Sequence, residues 1–268
     1  MLITGSSGGI GLAASQAMLE HKLSHLIMAI RTISKGEAAA APLRRAFPDA
    51  RIDLWALDMT SYESVQSFAR RCATELPQLD AVVLNAGCTR QEFTRCNNAN
   101  GHEEVFLVNY LSTALLASLL LPVLKVNANT RLRPGRLTIV SSGLGLLSKF
   151  PNRDSIPLIP SFDDSNDWGT AAASERYSTS KTLVLMFVQK LGEIISPSDV
   201  IINAVDPGFV SGSGLQSKLS TPVRLAFGAV KAISGRSLMD GASTYVDAVA
   251  LKGEETHGSF VMDWKIKP

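Results

Sequence analysis

Tyr177 and Lys181 stand one turn apart in a segment, residues 171–195, whose spacing predicts a helix, so the phenol and the ammonium share a face. Hydride reduction of a ketone leaves a high-energy alkoxide unless an acid sits beside the carbonyl oxygen. A phenol titrating near about 10 can serve, and a neighbouring ammonium is expected to draw it toward neutrality at a cost of about 3 to 4 kcal/mol. Ser142 follows an apolar run at residues 136–140 and can donate a hydrogen bond to the same oxygen. Alternation of side chains along a strand favours it over Ser141. Asn109 interrupts an apolar segment, where an unpaired amide would cost about 1 to 3 kcal/mol.

A second constellation lies at the start of the chain, where a short strand runs into Thr4, Gly5, Ser6, Ser7, Gly8, Gly9, Ile10 and Gly11 and then into a helix. Gly5 permits the tight turn, Gly9 lets backbone approach a pyrophosphate, and Gly11 allows helix and strand to pack closely. The helix N-terminus then presents free amides to phosphate, with Ser7 and Ile10 in the loop. A site preferring NAD places an acid about 20 residues beyond the glycines. Here Arg31 occupies that place, and residues 26–36 contain neither Asp nor Glu. A guanidinium fork suits a 2′-phosphate, so NADP(H) is the cofactor expected.

These residues need a scaffold, and the apolar pattern predicts one. Short runs rich in Val, Ile and Leu fall at residues 1–4, 26–30, 52–57, 81–84, 136–140, 200–205 and 259–262, as for strands covered on both faces. Helical segments at 10–20, 35–47, 61–74, 101–124, 171–195 and 239–251 alternate with them. This rhythm predicts an α/β fold: a single doubly wound Rossmann-type domain over residues 1–268, with a parallel sheet of about seven strands and helices on both faces. Two long connections, residues 143–170 and 208–235, leave the carboxyl ends of strands and are expected to wall a substrate pocket.

Composition bounds the function classes. With 46% apolar, 19% charged and 6% aromatic residues, the chain is an ordinary globular one. A formal charge of +2 without a basic run argues against nucleic acid as a partner. Cys72, Cys88 and Cys96, with four scattered histidines, match no metal-ligand spacing and no disulfide framework, so no metal is expected and the thiols read as reduced. No secretory leader opens the chain, which points to the cytoplasm, with peripheral attachment to an intracellular membrane as the alternative. Residues 105–124 carry no charge over a membrane-spanning length, but Asn109, Tyr110, Ser112, Thr113, Ser118 and Pro122 within them favour a buried helix over a transmembrane one.

Six motifs in order carry a resemblance: Thr4-Gly-x-x-x-Gly-x-Gly11, Asp58, Asn85-Ala86-Gly87, Ser141-Ser142, Tyr177-x-x-x-Lys181 and Pro207-Gly208. Together they resemble the short-chain dehydrogenase/reductase superfamily over essentially the whole chain. Lys35-Gly-Glu-Ala-Ala39 and Gly241-Ala242 look like its retinol-dehydrogenase-like branch and the fungal relatives of that branch. The resemblance implies a catalytic set of Asn109, Ser142, Tyr177 and Lys181, in which Lys181 also holds the nicotinamide ribose and Asn109 holds a water relaying protons toward it. It implies that Asp58 meets the adenine amine, that Asn85 and Gly87 line the adenosine side, and that Pro207, Gly208 and Val210 meet the nicotinamide carboxamide.

The activity expected is NADPH-dependent reduction of a bulky apolar ketone or aldehyde, reversible as alcohol oxidation, with a place in secondary metabolism. Leu144, Leu146, Leu147, Phe150, Phe209, Leu215 and Leu219 suggest the apolar substrate, and steroid-like, retinoid-like, polyketide and terpenoid compounds all remain open. An isomerase or dehydratase without net cofactor turnover is an alternative, and a non-catalytic dinucleotide sensor a further one. Apolar helices around Asn109 and Tyr177 point to a homodimer. The chain departs from the family in starting within the first strand, which raises a shortened N-terminus and a frayed strand. It also carries a long interval between Ser142 and Tyr177, and Ser211 where Thr is common.

Overall fold

The computed structural model describes residues 1–97, 101–131, 133–212 and 235–267. Strands β1 (Leu2–Thr4), β2 (His25–Ile30), β3 (Arg51–Ala56) and β4 (Ala81–Leu84) alternate with helices α1 (Gly9–Glu20), α2 (Ile33–Ala46) and α3 (Tyr62–Glu75). A hairpin of β5 (Arg95–Cys96) and β6 (His102–Glu103) precedes α4 (Glu104–Phe106), a π turn (Leu107–Leu111) and α5 (Ser112–Arg131). The rest comprises β7 (Gly135–Val140), α6 (Leu158–Ser161), α7 (Thr170–Ile194), β8 (Val200–Asp206), α8 (Leu238–Val246), β9 (Ser259–Met262) and β10 (Lys265–Lys267).

One sheet takes the order β10-β9-β8-β7-β4-β1-β2-β3. All pairings in it are parallel except β9 with β10. Alternate residues of each strand feed two cores. Leu2, Ile27, Val82, Leu137 and Ile202 face α3, α5 and α7. Ile3, Met28, Val83, Val140 and Val205 face α1, α2 and α8. Burial on both faces explains the continuous apolar runs. β1 is not frayed: it pairs with β2 on one side and β4 on the other, and Leu2 and Ile3 are fully buried.

Three differences from the sequence reading have physical causes. β10 adds an eighth, antiparallel edge strand, hidden because Lys265 and Lys267 flank its single Ile266. The helix predicted from residue 101 begins at Glu104, because the buried Glu103 carboxylate caps it, accepting from the amides of Val105 at 2.8 Å and Phe106 at 2.9 Å. The middle of the 143–170 connection does not wall the central cleft. Its Phe162 stacks on Phe106 with ring centroids 3.9 Å apart, and Asp163 accepts from His102 Nδ1 at 2.8 Å. The segment 104–125 meets the length and apolarity of a membrane span, yet half of that window is buried, with Leu116, Ala117, Leu120 and Leu124 in the core.

Candidate active site

The strand order reverses between β1 and β4, and a cavity of about 550 Å³ opens there, beyond the carboxyl ends of the parallel strands. Gly5, Arg31, Asp58, Asn85 and Ser142 each reach it just after one of those strands, and Asp206 at the end of β8. From the helical layer, α7 contributes Thr170, Ala173, Ser174, Tyr177 and Lys181, one continuous stripe.

In the glycine loop, a Cβ on Gly11 would lie 2.5 Å from Asn85 Nδ2 and 2.7 Å from the Gly5 carbonyl oxygen, so only glycine lets the helix start this close to the strands. Gly5 turns the chain at φ +66°. Ser7, Gly8, Ile10 and Gly11 line the cavity, whereas Gly9, expected there, does not. Gly8 has open space where a side chain would point, and Gly9 turns the chain at φ +56°.

Arg31 is exposed on the cavity rim, and nothing among the described residues pairs with its guanidinium. Asp58 also lines the cavity, while its Oδ1 accepts from the Thr60 amide and hydroxyl at 2.9 and 2.7 Å. Asn85 is a tie between layers as much as a lining residue. It donates to the Thr4 carbonyl at 2.8 Å and accepts from the Tyr245 hydroxyl at 2.8 Å. Tyr245, fully buried on α8, is a site neighbour that the sequence did not single out.

At the other end, Lys181 is buried and donates to the Val140 carbonyl at 2.9 Å, its ammonium 5.8 Å from the centre of the Tyr177 ring. Ser141 turns its hydroxyl to the Lys181 carbonyl at 3.0 Å, which leaves Ser142 as the partner of Tyr177. Asn109 sits in the π turn, its amide donating to the Cys88 carbonyl at 2.9 Å and Ser180 Oγ at 3.1 Å. Its oxygen accepts from the Cys88 amide at 2.8 Å. Both side-chain donors are therefore engaged with protein, and the side chain clamps the strand-end loop. A Cβ on Gly87 would lie 3.2 Å from Asn109 Oδ1 and 3.6 Å from Lys181 Nζ. Pro207, Gly208 and Val210 line the opposite wall, with Gly208 at φ +77°.

The electrostatics differ from the expected poise. Burial pushes the Tyr177 phenol up to about 12; the bond with Ser142 opposes this, while Asp206 and Cys88 add to it. Burial draws the Lys181 ammonium down to about 8. The pair is thus shifted by burial more than by mutual attraction. Asp206 was missed because an acid before Pro-Gly reads as a turn residue. Burial raises its carboxyl, opposed by amide bonds from Gly208 and Gly143, and so it links the Pro207–Gly208 loop to the segment carrying Ser142.

Of the apolar residues expected in the pocket, Leu144 and Phe209 line it. Leu146 and Leu147 are 57% and 74% exposed, and Phe150 packs with Phe106, Phe162 and Leu183 in a separate cluster. Leu215 and Leu219, with most of the 208–235 connection, lie outside the described residues.

The sequence model of the short chain dehydrogenases matches residues 1–152. A short chain dehydrogenase/reductase of the fungus Annulohypoxylon moriforme is 49% identical over 267 residues, covering 100% of this chain and 76% of that protein. The chain belongs to the short-chain dehydrogenase/reductase family. A second short-chain dehydrogenase, from Hypocrea virens (strain Gv29-8 / FGSC 10586), is 40% identical over 268 residues, covering 100% of this chain and 76% of its own. Among solved short-chain dehydrogenase/reductase folds, the L-sorbose reductase of Gluconobacter frateurii, crystallised with NADPH and L-sorbose, superposes with a TM-score of 0.71 at 18% identity. That match covers 97% of this chain and 93% of the other.

Proposed function

We propose that this short-chain dehydrogenase/reductase is an NADPH-dependent reductase of a ketone or aldehyde, running in reverse as an alcohol dehydrogenase. The observation that carries this reading is the convergence of Ser142, Tyr177 and Lys181 on one cavity whose other end carries the glycine loop and Arg31. The cleft fits a phosphorylated dinucleotide. Gly5 and Gly11 admit backbone where any Cβ would collide, and the guanidinium of Arg31 faces the rim with no partner among the described residues. The NADPH bound in the sorbose reductase supports the same cofactor here.

NADPH, when bound, supplies the hydride. Everything else falls to the chain. Ser142 donates a hydrogen bond to the substrate oxygen and holds it beside Tyr177. With its phenol near 12, Tyr177 is protonated throughout the physiological range, which suits the reductive direction because the proton must go to a far more basic alkoxide. Lys181, still largely an ammonium below about pH 8, holds the ribose side and offsets negative charge as the phenol gives up its proton. Asn109 is a positioning residue: it fixes Cys88 and thereby Gly87 against Lys181. Asp58 and Asn85 stand on the adenosine side, and Pro207, Gly208 and Val210 beside the nicotinamide. Exposed Leu119 on α5 and Met186 on α7 support a homodimer, which sedimentation of the purified protein would detect.

The test is a panel of ketones and aldehydes offered with NADPH. One NADPH consumed per carbonyl lost supports the reading. Conversion without net NADPH loss would mean isomerisation or dehydration, and NADPH binding with no conversion would mean a sensor.

A further inference from the structure

Beyond Tyr177, the cavity changes character. The stripe on α7 runs from Tyr177 back to Ser174 and Thr170, about 5 and 10 Å along the helix axis at about 1.5 Å per residue. Trp168, just ahead of this helix, donates its indole N–H to the Gln91 carbonyl at 2.7 Å, which brings the segment after Cys88 across from Ser174 and Thr170. There Arg90 and Glu104 line the cavity as a forked ion pair, with side chains only 14% and 10% exposed. Nε of Arg90 donates to Glu104 Oε2 at 2.5 Å, one terminal nitrogen to Oε1, and the other to the Thr89 carbonyl at 3.0 Å.

A guanidinium has five N–H donors. Three are accounted for, so one N–H on each terminal nitrogen has no partner among the described residues. Holding an ion pair this far from water carries a desolvation cost, and apolar residues of similar volume would serve a purely structural wall at least as well. Donors left over on a largely buried guanidinium call for an acceptor. Because Glu104 already cancels the charge, an ionised carboxylate arriving there would meet the Glu104 carboxylate as well as the guanidinium. An uncharged oxygen would not.

We propose that the Arg90–Glu104 pair, with Ser174, is a distal polar subsite that selects carbonyl substrates bearing a second, uncharged oxygen function, a hydroxyl or a keto group, remote from the reacting carbonyl. The proposal rests on the reductase reading and narrows its substrate class. The pocket is not uniformly apolar: Leu144, Val108 and Ala173 serve the skeleton of the substrate, and the subsite reads its oxygenation. One hydrogen bond to a charged donor separates an oxygenated substrate from its deoxy analogue by about 10- to 100-fold.

The experiment compares a hydroxytetralone, unsubstituted tetralone and the corresponding carboxytetralone as NADPH-coupled substrates of the parent, the Arg90→Met/Glu104→Met double variant and Ser174→Ala. The double substitution removes both charges together and leaves no buried ion alone; melting temperature reports whether it folds. In the parent, kcat/KM favours the hydroxytetralone over tetralone by about 10- to 100-fold, and the carboxytetralone over neither. The ratio falls to within about threefold of unity in the double variant, and part-way in Ser174→Ala, which sits exposed on α7 and leaves the core untouched. A parent that treats hydroxytetralone and tetralone alike, one that prefers the carboxylate, or a ratio that survives both substitutions overturns the subsite while the reductase reading stands. Failure of every carbonyl in the parent overturns the reductase reading and the subsite with it.

Discussion

Two cations line the same cavity, Lys181 buried and Arg90 partly so, and they are held in opposite ways. Arg90 meets a carboxylate fork-to-fork, and its guanidinium is held more firmly charged than usual by Glu104. Lys181 meets a backbone carbonyl; Asp206 and Cys88 hold its charge up from a distance, and burial still brings it down to about 8. A compensated charge is stable and can only recognise, whereas an uncompensated one sits near its titration point and can respond to a reaction. On the proposed reading, the difference separates the end of the cavity that performs chemistry from the end that reads the substrate.

The largest effect should come from the acid beside the uncompensated cation. Tyr177→Phe removes the proton donor and keeps the ring, so kcat for carbonyl reduction drops by about 10³-fold or more, as measured by NADPH absorbance under saturating substrate. Turnover at the parental rate would break the comparison outright. Lys181→Met comes next, with a loss of about 10²-fold.

The parent should also show an alkaline limb. Lys181 is protonated below its shifted value and loses its charge as pH rises through about 8, so kcat/KM for reduction falls across that range and the limb disappears in Lys181→Met. A parental profile flat to the alkaline end would show that Arg90 and Lys181 are equally firm. A third cation, the exposed Arg31, is the residue proposed to set the cofactor. Arg31→Ser should lower the preference for NADPH over NADH by about tenfold, read from the two KM values.

Asp206→Asn is the finest probe. The carboxylate raises both Tyr177 and Lys181, so the neutral amide, whose single acceptor oxygen can keep the Gly208 bond, moves the alkaline limb to lower pH. A limb that moved upward would place Asp206 outside the electrostatics of the pair.

The same contrast explains what the sequence shows and what it hides. Strands β1, β2, β4 and β7 to β9 are legible because parallel strands buried on both faces are largely apolar, and the edge strand β3 because Ile52, Leu54 and Trp55 still mark it. The glycine loop is legible because close approach admits no Cβ, as Gly11 against Asn85 shows. Ser142, Tyr177 and Lys181 converge as the motifs imply.

The hidden residues are those whose meaning depends on a partner distant in sequence. Arg90 and Glu104 are 14 residues apart and read as solvated charges until the hairpin folds them together. Glu103 caps α4 and pairs with Arg176 on α7, a contact spanning 73 residues. Tyr245 reaches Asn85 across 160 residues. The π turn that aims Asn109 at Cys88 leaves no compositional trace, so its clamp on the strand-end loop is not legible in the sequence. The expected lowering of the Tyr177 phenol failed for a related reason. Spacing on a helix places an ammonium nearby, but burial of both groups is a property of the whole packing.

The most direct test of the central claim is the fate of the cofactor's hydrogen. With NADPH deuterated at the transferring position and any carbonyl the enzyme accepts, mass spectrometry of the alcohol should find one deuterium on the former carbonyl carbon, formed by the parent and almost absent with Tyr177→Phe. Product formed without that deuterium, or formed equally well when the phenol is gone, would contradict hydride transfer assisted by Tyr177.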